Sequence, residues 1–244
     1  QGIGQIVDSL NKHRQLDNTL ILYMQDNGGC AEGLGRLSRN GVTKRPAVAT
    51  LQAMQPEDLQ TKMIPDQTRD GFPTVMGPGI LAGPDGTYIA YGKGWANASN
   101  TPFREYKHWV HEGGISTPLI AHWPKGINGK GRLEPEPGHL VDIMATIVEC
   151  SGANYPKTNN GVAVRPLEGE SLVNAFAGGA YDRGAIFWEH EGNRAIRVDD
   201  WKLVAKGAKG RWELYDIAED REETTDLTST YPDVAKDLEQ QWTA

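Results

Sequence analysis

Two short stretches of the 244-residue chain carry side chains that can do chemistry. Asp26-Asn27-Gly28-Gly29 sets a carboxylate beside an amide oxygen at the end of an apolar run. Hard cations such as calcium take roughly six to eight oxygens of these kinds. The same residues also make an ordinary turn, so the motif alone leaves both readings open. The second stretch runs from Thr101 to Gly114 and holds Arg104, Glu105, Lys107, His108, His111 and Glu112 ahead of Gly113-Gly114. An ammonium such as that of Lys107 donates to an oxyanion and neutralises it. A charged loop with aromatic anchors would read the same way. His139 and Asp142 stand three apart at the start of an apolar periodic run, where capping a helix and matching its positive end accounts for them better than metal binding.

The elements that must position these groups follow from hydrophobic spacing. Ile3, Ile6, Val7 and Leu10 share one face of a helix over residues 2–15. Thr19 to Met24 is too apolar to alternate and too short for a helix, which predicts a central strand buried on both sides. Helix, turn and buried strand together predict an α/β unit in a mostly parallel or mixed sheet with flanking helices, with Asp26 and Asn27 at the carboxyl edge where such sheets bind ligands. From Gly33 to Asn100, Gly and Pro interrupt every apolar run, predicting a long functional or mobile loop. A second strand is expected at Thr117 to Trp123 and a helix over 139–150, closed by Gly152.

Beyond Gly161 the spacing changes to hairpins. Strands are expected at Ala185 to Glu189, Arg194 to Val198, Lys202 to Ala205 and Trp212 to Tyr215, then a helix from Pro232 to Trp242. Two units are therefore expected: 1–160 as part of an α/β domain, and 161–244 as a small antiparallel sheet with a C-terminal helix.

Composition excludes several classes. A net charge of −7 with scattered Lys and Arg argues against a nucleic-acid surface. The cluster Lys206, Lys209 and Arg211 reads as a solvated hairpin tip. No apolar run approaches the roughly 20 residues that span a bilayer. Cys30 and Cys150 are too few for a disulfide framework or a cysteine zinc site. The chain opens on Gln1 directly into a helical pattern, so a longer parent protein is expected.

The two stretches occur together with Gly94-Trp95-Ala96-Asn97, Pro118-Leu119-Ile120, Trp123-Pro124, His139-Leu140-Val141-Asp142-Ile143 and Glu213-Leu214-Tyr215-Asp216. In that order, over nearly the whole chain, they resemble sulfatases of the arylsulfatase type, within the alkaline phosphatase superfamily. The resemblance implies calcium ligation by Asp26 and Asn27 and sulfate binding by Lys107, the lysine five residues before Glu112-Gly113-Gly114. His111 is taken as a substrate-binding candidate, with bracing of the loop as the alternative; Arg104 reads as a brace.

The resemblance also implies a formylglycine nucleophile made from a Cys in a Cys-x-Pro-or-Ser-x-Arg signature. Neither Cys30-Ala31-Glu32-Gly33-Leu34 nor Cys150-Ser151-Gly152-Ala153-Asn154 fits, so the nucleophile is expected upstream, and this chain alone is expected to be inactive. The expected partners are a sulfate-ester substrate, for instance a sulfated carbohydrate, and either the missing N-terminal half or self-association. A periplasmic or secreted location goes with the family. The alternatives are a phosphate or phosphonate ester hydrolase of the same superfamily and a non-catalytic glycan-binding or assembly module.

Overall fold

The computed structural model describes residues 1–37, 41–129 and 131–244; the stretch read from sequence as a long loop includes 38–40, which lie outside them. The chain opens with α1 (Gly2–Lys12) and a 3-10 turn (Leu16–Asn18) that leads into β1 (Ile21–Met24). The apolar face of α1 forms as its spacing predicts, yet Ile3 and Ile6 stay more than half exposed.

β1 pairs with β2 (Leu119–His122), and the pairing is antiparallel, with Ile21 opposite His122 and Met24 opposite Leu119. The mostly parallel sheet expected from sequence is not among the described strand pairings. A helix feeding a strand sets the local α/β packing, but a strand's neighbour is a long-range choice, here made with a segment nearly a hundred residues on. The expected burial on both sides is also corrected, since Tyr23 is 44% and Ile120 58% exposed.

Between the two strands, a loop-rich stretch ends in α2 (Gly92–Asn100), a helix where the sequence predicts loop. Gly92, Gly94, Asn97 and Asn100 are poor helix formers, and burial of Ala96 at 0% exposure shows tertiary contact holding what propensity does not. A single turn, α3 (Glu112–Ile115), precedes β2.

α4 (Asp142–Ser151) ends on Gly152 in the left-handed region, as its sequence predicts. A small ribbon, β3 (Thr158–Asn159) and β4 (Val162–Ala163), is followed by α5 (Val173–Ala177). Leu172, Ala175, Phe176 and Tyr181 pack with Leu22, Ala121 and Ile143, so apolar contacts reach back across residue 160.

The C-terminal region is a four-stranded antiparallel meander of β5 (Ile186–His190), β6 (Asn193–Val198), β7 (Trp201–Ala205) and β8 (Glu213–Asp216), covered by α6 (Pro232–Thr243). Its central strands are covered on both faces. Ile196, Leu203 and Leu214, directly opposite one another, pack on Ala235 and Leu238 of α6. The other face carries Ala195, Val204 and Tyr215 against Val110 and Ile115, which flank the predicted sulfate-binding loop. That face also carries Lys202 and Glu213, because Lys202 pairs with Tyr215 and Val204 with Glu213.

Candidate active site

The Asp26 corner and the Lys107 loop meet through backbone atoms. Gly28 N–H donates to Gly114 O at 2.9 Å, and Lys107 N–H donates to Gly29 O at 3.0 Å. This approach explains Gly28, and the folding of the Lys107 loop back on itself explains Gly114. A Cβ on Gly28 would lie 1.8 Å from Gly113 O, and one on Gly114 would lie 2.0 Å from Trp109 O. The two loops interlock only because no side chain stands between them.

The end of α2 supplies the third contact. The Asn100 side chain accepts from Gly29 N–H at 2.8 Å and donates to Glu105 O at 3.0 Å, bridging the two loops with one amide. Tyr91 OH accepts from Cys30 N–H at 3.1 Å. Asn100 and Tyr91 escaped the sequence reading because their stretch carries no periodic pattern.

Asp26 and Lys107 are exposed and Asn27 is half-buried. Asn27 Nδ2 donates to Gly28 O at 2.9 Å, and among the described residues no hydrogen bond engages its Oδ1. The donor set at this corner is therefore a carboxylate and an amide oxygen, which suits a hard cation; two ligands fill only part of a calcium shell of roughly six to eight. Among the described residues the Lys107 ammonium has no hydrogen bond or ion pair, so its charge is open to an anion.

His111 lies elsewhere. It is 0% exposed, on the inner side of the loop, with Nε2 3.5 Å from Glu213 Oε2 and Nδ1 without a hydrogen-bond partner among the described residues. Burial and the nearby Lys202, Arg104 and Lys206 cations push its pKa down to about 3, so it is a neutral imidazole. Arg104 braces, as its sequence context suggested: it donates to Tyr215 OH at 3.0 Å and Glu223 O at 2.7 Å and lies 3.7 Å from Glu213.

Below the loop lies a buried ion triad that sequence reasoning missed. Lys202 Nζ is 2.7 Å from Glu112 Oε1 and 2.9 Å from Glu223 Oε1, while the other Glu223 oxygen accepts from Glu112 N–H at 2.8 Å. Burial works against all three charges. At Glu112 it is outweighed by Lys202, and the carboxyl stays below its ordinary pKa; at Glu223 burial prevails and the pKa rises. Burial would also lower the Lys202 pKa, but the two carboxylates raise it. The triad clamps the Glu112-Gly113-Gly114 turn onto the sheet. The signal available was a Lys inside an otherwise apolar strand, Trp201-Lys202-Leu203-Val204.

Two further charged groups singled out in the sequence, Lys206 and Asp142, have structural roles. Lys206 pairs with Glu105 and lies 4.9 Å from the Trp109 ring centre, so it is not merely a solvated tip. Asp142 is fully buried and accepts from His139 N–H at 2.7 Å, Tyr181 OH at 3.1 Å and Arg183 Nε at 2.9 Å, a helix-start and packing role. Both cysteines are free.

Comparison with known proteins agrees with this architecture. The chain is 29% identical over 98% of its length to an uncharacterised sulfatase of Schizosaccharomyces pombe, of which it spans 40%. It superposes with a TM-score of 0.56 and 19% identity on a structure solved with its substrate D-glucosamine-2-N,6-O-disulfate, covering 99% of this chain and 36% of that one. A phosphonate monoester hydrolase of Agrobacterium radiobacter also shares the fold, with a TM-score of 0.52 and 18% identity over 98% of this chain and 37% of that one. The C-terminal model of N-sulphoglucosamine sulphohydrolase matches residues 104–244. The sulfatase family model matches residues 1–153, more than half of the chain and the part that holds Asp26, Asn27 and Lys107, and the chain therefore belongs to the sulfatase family.

Proposed function

We propose that this chain supplies the C-terminal part of a sulfuric ester hydrolase, contributing part of the cation site and the anion-binding lysine. The observation that supports the reading is the backbone bond from Lys107 N–H to Gly29 O, which brings the backbone of the lysine loop against the Asp26-Asn27 corner, with the Lys107 side chain exposed. Asp26, through its carboxylate, and Asn27, through Oδ1, would hold calcium together with ligands from outside this chain. Calcium, when bound, supplies positive charge against the sulfate oxygens. Lys107 donates to a sulfate oxygen and stabilises the charge that grows there as the ester bond breaks.

The role of His111 in this reading is to hold the Lys107 loop from below, because an imidazole at 0% exposure has no access to substrate in this chain. The formylglycine nucleophile belongs to another part of the protein, since neither Cys30 nor Cys150 stands in the required signature. The chain by itself is then inactive. Substrates of the sulfated-carbohydrate class fit the reading, in keeping with the disulfated glucosamine bound by the structurally similar protein.

Ile3 and Ile6 of α1, Ile120 of β2, and Leu140, Met144 and Ile147 at α4 are each close to half exposed or more. Remaining parts of a longer protein, or a second copy, would cover them. No described helix is long and apolar enough to cross a membrane, and a periplasmic or secreted location follows from the family reading.

The test is a longer protein containing this chain, assayed on sulfate esters and on phosphonate esters. Lys107→Ala should lower sulfate-ester turnover by about a hundredfold or more with an unchanged circular dichroism spectrum. Undiminished turnover in that variant removes Lys107 from the reaction, and a preference for phosphonate esters favours the alternative hydrolase.

A further inference from the structure

Beside Lys107, on the rim formed by its loop and the β5–β6 turn, stand two imidazoles and a carboxylate that the proposed function does not use. His108, His190 and Glu191 are all exposed, and one potential ligand atom from each lies within 4.8 Å of the other two. His108 Nδ1 is 3.2 Å from Glu191 Oε2, and the two histidine rings meet edge to face with centres 5.3 Å apart.

We propose that His108, His190 and Glu191 form a binding site for a divalent transition-metal ion of the zinc class, separate from the Asp26-Asn27 corner. Donor chemistry distinguishes the two sites. A carboxylate and an amide oxygen suit a hard cation, whereas paired imidazoles select borderline ions such as Zn²⁺, Co²⁺ or Ni²⁺. Distance supports the choice. An ion with arms of about 2 Å places tetrahedral ligands about 3.3 Å apart, so the His108–Glu191 separation already matches one edge of the polyhedron. His190 has to come closer by rotation of an exposed side chain, which needs no backbone movement.

The frame is held independently of the ion. Asn193, 2% exposed, donates from Nδ2 to His108 O at 3.1 Å and accepts from Gly207 N–H at 2.8 Å. It thereby fixes the His108 backbone to the hairpin that bears His190 and Glu191. The opposing contact is Asn193 Nδ2 at 3.3 Å from His108 Nε2. Metal on Nδ1 puts a proton on Nε2 facing that amide, which lowers affinity without blocking the geometry. Three protein ligands leave a coordination position open toward solvent. A water, or an anionic oxygen of a bound ligand, would fill it.

The experiment is calorimetric titration of the chain with Zn²⁺ in excess calcium, which occupies any hard-cation site, alongside the visible absorption of added Co²⁺. One zinc per chain is expected, with a Co²⁺ spectrum of low-symmetry, four-coordinate type. His190→Ala and Glu191→Gln should each weaken zinc binding by about tenfold or more, while His13→Ala, at an exposed histidine on the end of α1, leaves it unchanged. Glu191 lies at an exposed turn, so its amide variant keeps the fold intact and the comparison stands even if His190→Ala does not fold. Absence of zinc binding, or equal affinity in wild type and Glu191→Gln, overturns the proposal. Because the readout is metal affinity rather than turnover, it does not depend on the sulfatase reading.

Discussion

Replacing His111 with Gln should flatten the acid limb of the chain's stability profile. The folded imidazole titrates at about 3, against an ordinary value of 6.5. Between those values the unfolded chain takes up a proton that the folded chain refuses. Folding stability therefore rises with pH through the window and is lost as pH falls through it. Integrated from pH 7 to pH 5, this one group removes about 2 kcal/mol. His139 is shifted down as well, with burial as the first cause, and acts in the same direction. Glu223, shifted up by burial, opposes it above the ordinary carboxylate value. Both are present in wild type and variant, so the difference between the two profiles isolates His111. Gln keeps a donor toward Glu213 and has no charge to gain. Urea unfolding at pH 7, 6 and 5 gives the profiles, and the wild type should lose about 2 kcal/mol more than His111→Gln across that range. Parallel profiles would refute the claim that His111 is a buried neutral brace.

The interlocked glycines and the buried triad make equally specific predictions. Gly28→Ala places a methyl carbon 1.8 Å from Gly113 O and should cost about 1–3 kcal/mol by thermal unfolding, whereas Gly2→Ala, with nothing within 4 Å, should be close to neutral. Equal melting temperatures for the two variants would mean that the loops do not interlock. Lys202→Met strands Glu112 and Glu223 without a counter-ion and should cost about 3–5 kcal/mol in urea unfolding. Neutralising both partners in the same chain, as Lys202→Met, Glu112→Gln and Glu223→Gln together, should recover much of that loss. A triple variant no more stable than the single one would place the cost in packing rather than in charge.

Much of the fold was legible because its signals are local. The Gly152 stop of α4, the proline start of α6 and all four strands of the C-terminal meander lie within a residue or two of their predicted bounds, and α1 starts where its apolar spacing predicts but ends three residues early, at Lys12. α2 was missed because Gly92, Gly94, Asn97 and Asn100 give no helical signal, and its order comes from burying Ala96 and from the bonds made by Asn100. Antiparallel pairing of β1 with β2 was missed because register and direction are settled by partners far along the chain.

By itself the sequence determined which side chains are available for chemistry: an Asp-Asn corner after a strand, a lysine ahead of Glu112-Gly113-Gly114, and no cysteine in a nucleophile signature. Tertiary structure decided which of the nearby charges remain free. Lys107 is expected to bind sulfate, and His111, four residues on, either to bind substrate or to brace the loop; the Lys107 side chain is exposed while the imidazole is buried against Glu213. Lys202, hidden within an apolar run, proved to clamp the loop. The reason is physical: residue type fixes what a group can donate or accept, but burial and the charges around it, set by long-range packing, fix whether it meets a ligand or another part of the chain.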